Sequence, residues 1–235
     1  MTELQTPASR SRRAAARGGG LTPQVVSVLP ARQPGLVRIR MSTGEFLRVR
    51  EQTCRELGVS LGAITAQTLR RLTDEDAGTR LRERALRLLA ARPRSRAELA
   101  ARLRRVGPAA RVAGVLAELE RQGLVDDERF ARLWTQSRRQ ARRWGALRIR
   151  RELRAKGIPP DVIERVLDED PTDEEAVAEA LACQRLRAYA GLDRKTAARR
   201  LAAFLARRGF RDGSVIHALR RVGLFADRTA DEGPA

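Results

Sequence analysis

The sequence predicts a mainly α protein: three tandem three-helix repeat units in an elongated curved array, preceded by a small β-hairpin/helix segment. Two observations predict it. From about residue 79 the apolar residues follow a helical period, and a pattern of two apolar residues four apart followed by Gly four later recurs three times. The copies are Leu99, Leu103, Gly107; Ile149, Leu153, Gly157; and Leu201, Leu205, Gly209. Two apolar residues four apart share a helix face, and a Gly four later can take the left-handed conformation that stops a helix. Gly107, Gly157 and Gly209 are therefore expected to be the repeat helix stops.

Residues 1–20 mix Arg10, Arg12, Arg13 and Arg17 with Ala, Ser and three consecutive glycines, which predicts a disordered basic arm. Residues 21–75 are expected to hold a β-hairpin or three-stranded ribbon plus short helices. The runs Val25–Val28, Leu36–Met41 and Phe46–Arg50 are β-branched and partly alternating, and Ser42-Thr43-Gly44-Glu45 supplies a turn. Residues 51–73 read as one or two short helices interrupted at Gly58 and Gly62.

Three units follow, at 79–123, 126–168 and 173–223. Their helices are expected at 79–92, 96–106 and 109–122; at 127–143, 146–156 and 159–168; and at 173–190, 194–208 and 213–222. Ser95 with Glu98 reads as a capping box, Asp193 and Asp212 as N-caps, and Pro159-Pro160 as a first helical turn. Asp126 and Asp127 start the long helix that carries Phe130, Leu133 and Trp134. Residues 224–235 are expected to be a flexible tail.

The 235 residues carry 48 Lys+Arg against 29 Asp+Glu, a net charge of +19, so polyanions are the favoured partners. Only Lys156 and Lys195 are lysines. Codon usage in a GC-rich genome accounts for Arg over Lys as readily as phosphate recognition does, but not for the sign of the charge. Cys54 and Cys183 are far apart without CxxC spacing, so no disulfide or zinc site is expected, and both read as buried thiols. No apolar run marks a leader or a membrane span, and a cytoplasmic protein is expected.

No residue set for catalysis stands out. His217, the single histidine, lies among apolar positions with no nucleophile nearby, and the acids from Asp168 to Glu179 have the spacing of a charged linker entering a helix. No phosphate-cradling GxxxxGK[ST] loop occurs. Catalytic residues, metal sites, cofactors and a small-molecule substrate are all expected to be absent.

The basic face is more informative. Residues 80–154 hold 22 Arg and 8 Asp+Glu. Arg138, Arg139, Arg142 and Arg143 fall at i, i+1, i+4 and i+5, and Arg148, Arg150, Arg151 and Arg154 extend the charge along the next helix. The expectation is one concave stripe that tracks phosphates or filament acids; a solvated helix face is the plainer reading of the same residues. Aromatic residues are few, which argues against base stacking as the main mode.

Two stretches resemble the RecX family. Gly123-Leu124-Val125-Asp126-Asp127-Glu128-Arg129-Phe130-Ala131 looks like the signature joining its first two units. Trp144 to Ile158, with Gly145, Leu153 and Gly157, resembles its second-unit motif. The resemblance spans residues 21 to about 223. It implies a non-enzymatic regulator of recombination and DNA repair in the SOS response. Such a protein lodges in the groove of the RecA recombinase filament on single-stranded DNA and inhibits strand exchange and ATP hydrolysis. Contact with single- and double-stranded DNA goes with it; a monomer without membrane association is expected. A stand-alone, helix-turn-helix-like DNA-binding regulator is the alternative, because a three-helix unit also has that size.

Overall fold

The structure, a computed structural model, describes residues 22–225. The arm at 1–20 and the tail from 226 onward lie outside the described residues. Two compact units divide the chain between Arg80 and Leu81.

The first unit is a four-stranded antiparallel sheet with two helices. Its strands are β1 (Gln24–Pro30), β2 (Leu36–Met41), β3 (Phe46–Arg50) and β4 (Gly62–Ala63), in the order β3-β2-β1-β4. The expected ribbon therefore gains a fourth strand, two residues long, which pairs with Gln24 and Val25. Helix α1 (Glu51–Glu56) follows β3 directly, and α2 (Ala66–Ala91) begins after β4. One sheet face supplies Val25, Ile39, Met41, Leu47 and Val49 to a core completed by Cys54 and Leu72. The open edge of β3 is not left bare. The backbone N–H of Arg48 donates to Asp76 Oδ1 of α2 at 2.8 Å, and the second oxygen of that buried carboxylate meets Arg80 at 2.7 Å.

That contact corrects the expected boundary at residue 79. The short helices expected within 51–73 and the separate helix expected at 79–92 are joined instead, because α2 is continuous from Ala66 to Ala91. Its acids are used: Asp76 on β3, and Glu75 on Arg50 at 2.6 Å.

The second unit contains three successive three-helix modules. The first comprises the C-terminal part of α2, α3 (Arg96–Leu103) and α4 (Ala109–Arg121). The second comprises α5 (Asp127–Arg142), α6 (Ala146–Ala155) and α7 (Pro160–Asp168). The third comprises α8 (Glu174–Leu186), α9 (Arg194–Arg208) and α10 (Asp212–Arg221). Each module has its own core. Leu81, Ala85, Leu99, Leu103, Val112, Leu116 and Leu119 form the first; Phe130, Ala131, Ile149, Leu153, Ile163 and Val166 the second; Ala178, Leu181, Leu201, Leu205, Val215 and Leu219 the third. The repeated apolar pairs on α3, α6 and α9 are thus the central wall of each core. All six are fully shielded, so truncating any of them to Ala costs about 2–5 kcal/mol.

The glycines differ in role. Gly157 and Gly209 follow their helices with φ of +73° and +88°. Gly107 has no positive φ: α3 ends at Leu103, and a Cβ on Gly107 would stand 2.7 Å from Leu81 Cδ1, so its requirement is space. Two smaller expectations are also corrected. Arg211, with no side-chain cap, precedes α10, so Asp212 is its first residue, placed to favour the helix dipole. Cys183 is exposed, and only Cys54 is buried.

Candidate functional site

The predicted stripe divides into groups with different work. Helix α5 buries Phe130, Ala131 and Thr135, and the adjacent Arg138 and Arg139 diverge from its C-terminal end to different partners. Arg138 lies over the Trp134 ring at 3.8 Å and over Trp144 at 5.4 Å, and its Nε donates to Glu152 at 3.2 Å. Trp134 Nε1 donates to the same carboxylate at 3.1 Å. Lys156 caps the far side of this stack, 4.0 Å from Trp134, and Arg148 caps the near side, 4.0 Å from Trp144. Cations and rings alternate through the second module, each contact worth about 0.5–2 kcal/mol.

Arg139 turns inward. Its guanidinium donates to Asp170 Oδ2, Glu174 Oε1 and the carbonyl of Trp144, each at 2.7 Å, with 11% of its side chain exposed. Arg150 is held by Glu164, and Arg154 reaches that carboxylate at 4.0 Å. Burial opposes the Arg150 charge, but the Glu164 hydrogen bond dominates and raises its pKa; Glu164 is lowered in turn. Arg142, Arg143 and Arg151 are exposed and have no ion pair among the described residues.

The acids read as a linker become specific fasteners. Asp173 caps α8 through the N–H groups of Glu175 and Ala176, Glu169 holds Arg132, and Asp170 and Glu174 hold Arg139. His217 sits between Glu175 and Glu179, at 3.4 and 3.6 Å. No group of three His, Cys, Asp or Glu able to hold a metal ion occurs among the described residues.

The most informative geometry lies where modules meet, because the same joint is built twice. The middle helix of each following module ends against the start of the middle helix before it. At the first joint, Ser95 Oγ donates to the Lys156 carbonyl at 2.6 Å, and Asp127 Oδ1 accepts the Arg96 N–H at 2.7 Å. A Cβ on Gly157 would meet Ala97 Cβ at 2.4 Å. At the second joint, Gly145 N–H donates to the Arg208 carbonyl at 2.9 Å, Leu147 N–H to the Gly209 carbonyl at 3.0 Å, and Ala146 N–H to Glu174 Oε1 at 2.5 Å. At the second joint the free N–H groups of one helix thus meet the free carbonyls of the next, where at the first the Ser95 hydroxyl takes the carbonyl and Asp127 the N–H. Gly145 must lack a side chain, since its Cβ would stand 2.2 Å from the Gly209 oxygen.

The side chains at the two joints differ in sign. Counting back from Gly157 and Gly209, Lys156 corresponds to Arg208; counting from Leu99 and Ile149, Glu98 corresponds to Arg148. Lys156 Nζ and Glu98 Oε1 form an ion pair at 3.1 Å. Burial opposes the Glu98 charge, but hydrogen bonds from Lys156 and Arg92 outweigh it and lower the pKa. Asp127, at the same joint, is pushed up by burial against the opposing hydrogen bond from the Arg96 N–H.

The second joint has two guanidinium groups where the first has an ion pair. Arg148 Nη1 donates to the Arg207 carbonyl at 3.0 Å and Arg208 Nη1 to the Arg142 carbonyl at 2.5 Å. Arg185 and Arg208 flank the Phe204 ring at 5.3 and 4.9 Å. Burial and the charges of Arg148, Arg143, Arg185 and Arg142 all lower the Arg208 pKa. None of these five arginines is ion-paired among the described residues. Arg143 also takes a left-handed conformation, φ +49°, at the end of α5, a cost of about 1–2 kcal/mol for a residue with Cβ.

The sequence reading brought Arg142, Arg143 and Arg148 into the site but missed Arg185, Arg207 and Arg208, about 40 to 65 residues further on. The repeat held a usable signal: Arg207-Arg208 directly precedes the third stop glycine, where Lys156 precedes the second.

Comparison with known proteins decides the family. Profiles described as the first, second and third three-helix domains of RecX match residues 82–119, 126–167 and 173–215. The chain belongs to the RecX family. Regulatory protein RecX of Streptomyces coelicolor is 38% identical over 154 residues, covering 63% of this chain and 82% of that one. The Halorhodospira halophila protein of the same name is 40% identical over 155 residues, covering 66% and 92%. The Mycobacterium tuberculosis protein is 44% identical over 131 residues, covering 53% and 75%. A crystal structure of regulatory protein RecX superimposes with a TM-score of 0.69 at 20% identity, over 82% of this chain and 96% of that one. RecX from Lactobacillus salivarius gives 0.60 at 20% identity, over 64% and 99%.

The RecX motif residues fall on the scaffold just described. Gly123, φ +66°, ends α4; Asp126 caps α5 through the Arg129 N–H; Asp127 and Phe130 serve the first joint and the second core. Gly145 and Gly157 are close-approach points of the two joints, and Leu153 is the centre of the second core. RecX membership makes this a regulatory protein, and no helix among the described residues is long and apolar enough to cross a membrane.

Proposed function

We propose that this protein is a non-enzymatic regulator that binds the RecA recombinase filament on single-stranded DNA and inhibits strand exchange and ATP hydrolysis. The regulatory role is supported by the relatives named regulatory protein RecX. The contact is argued from the second joint, where Arg142, Arg143, Arg148, Arg185 and Arg208 crowd together and none is ion-paired among the described residues. Neighbouring cations repel, and a phosphate or filament carboxylate placed among them removes that repulsion. Arg151 and Arg154 extend this surface, whereas Arg138, Arg139 and Arg150 hold it in place through their bound acids. The protein acts by occupancy, restraining rearrangement of recombinase subunits and DNA without chemistry of its own.

The test is the rate of DNA-dependent ATP hydrolysis by the cognate recombinase as the protein is titrated in at fixed salt, beside its binding to the same DNA alone. Inhibition should begin below the concentration that coats naked DNA, and Arg142→Glu/Arg143→Glu/Arg148→Glu should weaken it at least tenfold, about 1.4 kcal/mol. Unchanged inhibition by a folded triple variant would reject the joint as the contact. Inhibition only at DNA-saturating concentrations, with duplex footprints at defined sequences, would favour the stand-alone DNA-binding regulator.

A further inference from the structure

We infer that the solvent-facing side of the N-terminal sheet is a second binding surface, which takes single-stranded nucleic acid by stacking a base on Phe46 and holding phosphates with Arg38 and Arg40.

The register builds this face. Arg40 pairs with Phe46 across β2 and β3, Arg38 pairs with Leu29 across β2 and β1, and Ser27 pairs with Arg40. Side chains alternate along a strand, so Ser27, Leu29, Arg38, Arg40 and Phe46 share the side opposite the buried Ile39, Met41 and Leu47. Met41 N–H donates to the Glu45 carbonyl, which puts Glu45 opposite Met41 and on the other parity from Phe46.

Phe46 and Leu29 are 43% and 46% exposed. Phe46 opens the edge strand β3, and an aromatic side chain left in water there gains nothing for the core on the opposite face. Arg38 and Arg40 lie 5.0 and 6.0 Å from the Phe46 ring, and neither has a carboxylate partner among the described residues. Nearby acids are engaged elsewhere: Asp76 with Arg48 and Arg80, Glu75 with Arg50.

A ring flanked by two guanidinium groups without carboxylate partners among the described residues, on an exposed strand surface, suits a chain of alternating planar bases and phosphates. Arg38 and Arg40 are about 6.8 Å apart along the strand, close to the step of an extended polynucleotide. Base-on-aromatic stacking needs unpaired bases, so the chemistry selects single strands over duplex. An acidic peptide would neutralise the two charges, but its Asp and Glu side chains bring no aromatic face to stack on the ring. This surface is in the first unit, outside the three matched family domains and apart from the joint cluster.

The experiment uses the full chain and oligothymidylate, with no recombinase, so its result is independent of filament binding. Phe46→Trp places a fluorophore on the face, and its emission, taken as the difference from the parent protein, should be quenched by oligothymidylate. Phe46→Ala should weaken single-strand affinity roughly five- to a hundredfold with the circular dichroism unchanged. Arg38→Ala/Arg40→Ala should reduce the slope of log affinity against log salt by about 1.4, since each single-strand phosphate contact contributes about 0.7. An unquenched difference spectrum together with parental affinity for both Phe46→Ala and the double Arg variant would overturn the inference. Equal quenching by duplex, or competition by polyglutamate as effective as by oligothymidylate of equal charge, would also overturn it. Oligouridylate in the same assay distinguishes a ribose-tolerant surface from a deoxyribose-specific one, both within the proposed chemistry.

Discussion

Replacing Arg139 by methionine separates a structural arginine from a binding one. The guanidinium joins α5 to Asp170 and Glu174 at the entry to the third module, with 11% of the Arg139 side chain exposed and 11% and 16% of the two acids. Methionine keeps much of the aliphatic volume but leaves two carboxylates desolvated beside each other. It also frees the Trp144 carbonyl that Arg139 now satisfies at 2.7 Å. Breaking one side of a buried pair costs about 3–5 kcal/mol. At about 2–4 °C per kcal/mol for a chain of this size, the melting temperature should fall by roughly 6–20 °C. Thermal and urea unfolding followed by circular dichroism read the loss. Arg139→Met/Asp170→Asn/Glu174→Gln removes all three charges and should recover most of it. Arg142→Met, one turn on and exposed, should stay within about 0.5 kcal/mol of the parent. A melting temperature for Arg139→Met within about 2 °C of the parent would refute the reasoning and return Arg139 to the solvated surface.

Gly145→Ala should cost about 3 kcal/mol or more, because its Cβ is opposed by backbone at 2.2 Å, and limited proteolysis should then cut between the second and third modules. Arg143→Gly relieves the left-handed strain at the end of α5 and should add roughly 0.5–1 kcal/mol of stability while weakening polyanion affinity. A variant that gains stability and keeps full affinity would remove Arg143 from the site. Ser95→Ala loses both the cap on Glu98 N–H and the bond to the Lys156 carbonyl, and should lower stability by about 1–2 kcal/mol in urea titrations. Glu98 binds its proton less tightly folded than unfolded, so its contribution is full above the unfolded pKa, about 4.3, and is lost as pH falls through the lower folded value. Glu98→Gln should therefore flatten the stability-pH curve below about pH 4.3, measured as the urea midpoint from pH 6 to pH 3.

Periodicity made the helical repeat readable, since one wall of each core is written as two apolar residues and a glycine. Short-range rules failed where long-range contacts decided the outcome. A helix boundary near residue 79 looks natural until β3 is present for Asp76 to cover, and Gly107 looks like a helix stop until Leu81 claims its space. Arg138 and Arg139 are adjacent in sequence and look alike. One belongs to an aromatic stack and the other to acids some 30 residues away. Local spacing cannot register the like-charge joint either, because Arg148 and Arg208 come together only when successive modules close.

Two bonds of the second joint run from main chain to main chain: Gly145 and Leu147 amides on Arg208 and Gly209 carbonyls. Main-chain groups are the same in every residue but proline, so most substitutions leave this clasp unchanged provided the glycines persist. Inheritance can then rewrite the flanking side chains at will, turning an acid-base pair at one seam into a cluster of cations at the next.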